Sequence, residues 1–98
     1  MPSTKNYLNF ILEQLSGVPD ISYRAMMGEY IIYYRGKVIG GVYDDRFLVK
    51  PTKSALTLTE NCTMAIPYDG AKPMLLVEDL ENREYLTALL KAVYSELK

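Results

Sequence analysis

Tyr23-Arg24-Ala25-Met26-Met27-Gly28-Glu29-Tyr30-Ile31-Ile32-Tyr33-Tyr34-Arg35-Gly36-Lys37 is the stretch on which the reading of this chain turns. Ile21 to Met27 alternates in polarity and reads as a strand; Gly28 then allows a bend or bulge. Tyr30 to Tyr34 is aromatic and β-branched throughout, which favours a second strand. Arg35-Gly36 sits where a two-residue hairpin turn belongs, because glycine tolerates the positive φ that such turns need. Side chains alternate across a strand, so Tyr30, Ile32 and Tyr34 share one face and Ile31 and Tyr33 the other. Both faces are apolar or aromatic, whereas a sheet with one wet face alternates more cleanly. The expectation is that two long helices cover one face. The other is covered by a short helix, by a partner, or by a second copy of the chain; burial of the strand within one copy is the plainest version.

Working outward, Ser3 or Thr4 can cap an opening helix whose Tyr7, Leu8, Ile11, Leu12 and Leu15 form an apolar stripe, ended by Gly17 and Pro19. Past the hairpin, Val38 to Tyr43 is the return strand and Asp44-Asp45 a further turn. Arg46 to Lys50 is a short fourth strand with Phe47 and Val49 on one face. Pro51 interrupts the sheet, and Thr52 can cap a short helix to about Thr59 with Ala55 and Leu56 inward. Met64 to Tyr68 reads as a strand, Asp69-Gly70 as a turn within a longer loop, and Met74 to Val77 as the last strand. Asp79 then caps a C-terminal helix with Glu81 and Glu84 early, Lys91 and Lys98 late, and a stripe of Leu86, Leu89, Leu90, Val93 and Leu97. The fold class is α+β: an antiparallel sheet flanked by helices in the order α-β(3-4)-α-β(2)-α, as one domain over residues 1–98.

Composition narrows the chemistry. The 98 residues carry 11 basic and 12 acidic side chains, a net charge of −1 that exerts no general pull on nucleic acid or anionic membrane. No apolar run approaches the roughly 18–20 residues that span a bilayer, and the N-terminus lacks a secretory apolar region. Histidine is absent, so the commonest general base and the Ser-His and Cys-His pairs are missing, and zinc binding by histidine and cysteine with them. The single Cys62 cannot form an internal disulfide, which fits a reducing cytoplasm. With no basic neighbour in sequence to lower its pKa, it is expected to be a small buried or semi-buried residue. The Asn61-Cys62-Thr63 sequon is taken as chance. No calcium loop or phosphate loop is present, and Gly40-Gly41 inside a strand indicates close packing or a bulge. No cofactor is expected.

Arg24 lies in an otherwise apolar strand and Lys50 ends the fourth one. A cation at either place needs a partner, and Glu29, Asp44 or Asp45 could supply it. The alternative is recognition of an anion, since arginine forms paired hydrogen bonds to carboxylate or phosphate. Lys53 and Lys72 could extend a basic patch for nucleic acid, or line up as a solvated face. Of the nine tyrosines, most are expected in the core and one or two at an interface.

The core Arg24-Ala25-Met26-Met27-Gly28, the tyrosine-bearing strand and glycine turn of Tyr30 to Gly36, and the strand Arg46-Phe47-Leu48-Val49-Lys50 resemble the TfoX/Sxy N-terminal domain family over nearly the whole chain. Ile66-Pro67-Tyr68-Asp69-Gly70-Ala71-Lys72-Pro73-Met74-Leu75 resembles its short, stand-alone members. Met27 stands where the family's core motif usually has an aromatic residue. The resemblance implies a fold like the secretion-chaperone group, and such folds often pair as dimers, which would cover the second face of the sheet. It also implies a non-enzymatic cytoplasmic protein, a positive regulator of competence in the two-domain members, working through a protein partner such as a transcription regulator and not by direct contact with nucleic acid or membrane. Arg24, Tyr30 and Lys50 are the candidate interaction residues. The rival readings are direct nucleic-acid binding and a pocket for a small anion around Arg24.

Overall fold

Three tight reversals build the first half of the sheet. The computed structural model describes residues 3–59 and 62–97. Strands β1 (Ile21–Met26) and β2 (Glu29–Tyr34) are joined by Met27-Gly28, β2 and β3 (Lys37–Val42) by Arg35-Gly36, and the turn before β4 (Phe47–Val49) is made by Asp44-Asp45. In each turn both central residues have positive φ, between 51° and 85°. That left-handed backbone matches the twist of the flanking strands, so each turn reverses the chain directly into an antiparallel neighbour. Met27-Gly28 is therefore a full two-residue hairpin turn, where the sequence alone predicts a bend or bulge at Gly28. Gly28 at φ 85° takes the second position and Met27 at φ 51° the first.

Helix α1 (Lys5–Gln14) precedes the meander, its first turn capped by Thr4, whose hydroxyl accepts the Tyr7 N–H at 3.1 Å. After β4 come α2 (Lys53–Leu58), capped by Thr52, then β5 (Met64–Ala65), β6 (Met74–Leu76) and α3 (Arg83–Ser95). The sheet runs β1-β2-β3-β4-β6-β5 with every pair antiparallel, so the fold is α+β.

Two boundaries differ from expectation. β5 stops at Ala65, not Tyr68, because Pro67 lacks an N–H to extend a ladder and the Ile66 carbonyl is taken by the Arg46 guanidinium at 3.1 Å. The C-terminal helix starts at Arg83, with Asn82 as its cap through the Tyr85 N–H, and not at Asp79. Residues 78–80 instead close a tight turn, with Leu80 N–H donating to the Glu78 carbonyl at 3.1 Å while Leu80 packs against the core. Glu81 thus lies ahead of the helix and Glu84 in its first turn; Lys98 lies outside the described residues.

One hydrophobic cluster holds the molecule together. It joins Leu8, Ile11 and Leu15 of the first helical segment, Ala55 of α2 and Leu86, Leu89, Leu90 and Val93 of α3 to Ile32, Tyr34, Ile39, Val42, Phe47, Val49 and Leu75 of the sheet. The three helices of the described residues therefore lie on one face, α2 included, and among these residues no helix covers the face that carries Ile31 and Tyr33. In β3 an extra residue, Ile39, is accommodated by a register shift between Ile32 and Tyr33 of β2, which leaves Ile39 fully buried in the cluster.

Candidate interaction surface

The helix-free face is assembled by the register of the strands. Arg24 of β1 stands opposite Ile31 of β2, which stands opposite Gly41 of β3, and Gly41 opposite Leu48 of β4. A second row runs Ser22, Tyr33, Val38. The β4 end of this face is sealed by the chain itself. Gly41 has no side chain, and the Tyr43 ring occupies the space: a Cβ at position 41 would lie 2.7 Å from the ring. Leu48, across from Gly41, is fully buried although it belongs to none of the helix-side cluster. The Tyr68 ring lies 6.1 Å from that of Tyr43, and Arg46 fastens the same loop through the Ile66 carbonyl. Burial, and then the neighbouring Tyr68 and Glu29, push the Tyr43 hydroxyl above its ordinary pKa, so it remains protonated.

Among the described residues, the β1–β3 end has no such cover. Ile31, Tyr33 and Val38 are half-buried, Arg24 and Met26 are exposed, and Met27 at the hairpin tip is 97% exposed. The Arg24 backbone belongs to the β1–β2 ladder, and its side chain makes no hydrogen bond or ion pair with any described residue. Its anticipated carboxylate partners are engaged elsewhere. Glu29 accepts the Ser3 N–H at 2.7 Å through one carboxylate oxygen and the Asp44 N–H at 2.9 Å through the other. Asp45 accepts the Thr4 N–H at 2.8 Å, while its own N–H donates to the Ser3 hydroxyl at 3.1 Å. These bonds tie the start of the chain to the β1–β2 and β3–β4 turns. Glu29 was expected as a partner for a strand cation and instead holds backbone N–H groups; the signal for that role is an acid directly after a turn glycine.

Glu29→Ala is expected to lower stability by about 2 kcal/mol in urea denaturation, since hydrogen bonds to a charged group contribute about 1.5–3 kcal/mol. Glu29→Gln should recover part of that loss. Equal stability of all three proteins would show that the clasp contributes nothing.

The other anticipated site residues are dispersed. Tyr30 is half-buried on the helix side, against the core and 6.0 Å from the Tyr23 ring, so its ring packs. Lys50 follows β4, three strand spacings from β1, about 14 Å across the sheet from the line of Arg24. Lys53 is on α2 and Lys72 in the loop before β6, so the four cations lie on four separate elements. Tyr34 and Tyr43 are buried, while Tyr23 and Tyr68 are 43% and 59% exposed. Cys62 is exposed, not buried, with its thiol 3.4 Å from the Leu56 and Thr59 carbonyls; Asn61 lies outside the described residues.

A cleft of about 380 Å³ is lined by Leu58, Thr59, Leu76, Glu78, Asp79 and Tyr85, so its charges are carboxylates and it excludes Arg24. Among the described residues no group of three or more potential ligands is placed to hold a metal ion, and no helix is long and apolar enough to cross a membrane.

The architecture defines a class: an α+β domain whose antiparallel sheet carries its helices on one face and presents half of the other. The chain belongs to the TfoX N-terminal domain family, whose pattern it matches over residues 13–95. It is also similar to the uncharacterized 12.7 kDa protein in the trpE 5′ region of Spirochaeta aurantia, with 32% identity over 80 residues, 82% of this chain and 70% of that protein. No solved structure matches it.

Proposed function

We propose that this chain is a non-enzymatic, cytoplasmic interaction domain that acts in transcriptional regulation by binding another protein through the β1–β3 half of its helix-free sheet face. The observation that supports this reading is the contrast across that face. The chain seals Leu48 with Tyr43 and a fastened loop, yet leaves Ile31, Tyr33 and Val38 beside an Arg24 whose side chain has no partner among the described residues. Apolar area flanked by one arginine suits a partner presenting apolar side chains and a carboxylate. Membership of the TfoX N-terminal domain family lends support to the reading as an interaction domain.

A photoreactive amino acid at Tyr33, introduced in cells, should give one adduct with a different protein, and Arg24→Glu should abolish it. The same group at Lys91, exposed on α3, should give none. Absence of the Tyr33 adduct, or equal adducts at both positions, sinks the proposal.

A further inference from the structure

The two edges of the sheet are built differently. β5 is two residues long and is followed by Pro67, which blunts it. β1 is six residues long, has no proline, lysine or bulge, and is exposed from Ser22 to Met26. A strand of that kind is a template for another strand.

Its free hydrogen-bonding groups can be assigned. A two-residue hairpin closes on a hydrogen-bonded pair, here Met26 with Glu29, and such pairs then alternate. Arg24 and Ser22 are therefore bonded to β2. The pattern is borne out beyond the strand, where the Arg35 N–H donates to the Asp20 carbonyl at 3.0 Å. The N–H and C=O groups of Ile21, Tyr23 and Ala25 point away from the sheet.

We propose that β1 pairs with β1 of a second copy of this chain, antiparallel about a two-fold axis at Tyr23. In that register Tyr23 faces Tyr23, and Ile21 faces Ala25 on both sides of the axis, so every outward group finds a partner. A shift of the axis to Arg24 opposes two arginines, which is unfavourable. A shift to Ser22 brings Ala25 against Pro19, which has no N–H to give. With the axis at Tyr23, Arg24 faces Ser22 of the second copy and lies diagonal to its Asp20, an exposed carboxylate 3.8 Å from Arg35 of its own chain, so the two Arg24 side chains are kept apart and the local charges are complementary. Arg24 thus selects the register. The helix layer does not obstruct the approach, because Tyr23 and Ala25, which point to the helix side, are exposed. This pairing uses the edge of the sheet and goes beyond the binding of a different protein by its face.

Light scattering on the purified chain should give twice the 11.2 kDa chain mass. Ala25→Pro removes an outward N–H and no bond to β2, so it should halve the mass with the circular dichroism unchanged. Tyr23→Lys, which sets two ammonium groups across the axis, should do the same and serves if the proline variant fails to fold. In a Cys62→Ser background, Tyr23→Cys should form a disulfide-linked dimer on mild oxidation, because directly opposed residues approach within disulfide range. Ser22→Cys should not. A wild type of single-chain mass, folded variants that stay dimeric, or equal cross-linking at both positions would overturn the pairing. The photo-adduct at Tyr33 with a different protein is a separate readout, so either proposal can fail while the other stands.

Discussion

Gly40→Ala is expected to cost about 3 kcal/mol or more, although it adds a single methyl group. A Cβ at this position would press on the Leu48 carbonyl and lie 2.7 Å from the Val49 Cα. Both are backbone atoms of the neighbouring strand, and β4 is itself held on its far side by β6, so it cannot step aside. The register explains the crowding: Gly40 is paired with both Ile32 and Val49, directly after the extra residue Ile39. A stability of 5–15 kcal/mol is ordinary for a domain, so the loss is a large share of the total. Thermal unfolding should fall by about 15 °C, at about 4–8 °C per kcal/mol for a chain of this size. Two controls separate crowding from glycine's backbone freedom. Gly17→Ala meets no atom within 4 Å and should be neutral or slightly stabilising. Gly36→Ala meets none either but has φ +81°, so its cost of about 1 kcal/mol reports backbone strain alone. If Gly40→Ala unfolds with the Gly36 variant, the close approach of β3 and β4 carries no weight.

Phe47→Ala should be about as damaging or worse, at about 4 kcal/mol by chemical denaturation. Phe47 is fully buried in the helix-side cluster, opposite Val42, and its carbonyl accepts the Val77 N–H at 2.9 Å. Truncation there removes a ring's worth of contact from a strand with neighbours on both sides, and packed walls collapse into such a void only partly. Phe47→Leu keeps most of the volume and should cost less than half as much. Equal losses for the two variants would mean that ring shape, not filled volume, sets the energy. Gly40 and Phe47 both act through the β3–β4 ladder, so their effects are not expected to add.

The meander was readable because its signals are local. Arg35-Gly36 and Asp44-Asp45 favour tight turns by their own backbone preferences, and the alternation in Tyr30 to Tyr34 announces a strand with two demanding faces. Met27-Gly28 was harder, since methionine is a poor advertisement for positive φ. The cap at Asn82 was obscured by Asp79 three residues ahead of it, an equally good N-cap residue type. Sheet order was out of reach, because nothing in Met74 to Leu76 says that it pairs with β4 and leaves β5 at the edge. The surface followed the same division. That the second strand has two apolar faces is a matter of counting residues. That α2 joins the other helices, that Tyr43 folds over Gly41, and that Glu29 serves Ser3 and Asp44 instead of Arg24 are long-range packing outcomes.

The position of β6 has a consequence for how the chain is made. β1 to β4 close through successive short hairpins and can form as soon as they are synthesised. β4, however, receives its second neighbour only when residues 74–76 arrive, after α2 and β5. Until then the nascent protein carries an open β4 edge with Phe47 and Val49 uncovered by α3, a sticky intermediate on the ribosome. Release of a chain truncated before Met64 should therefore send it to aggregates or to chaperones, and the last third of the sequence acts during synthesis as the stopper for the first.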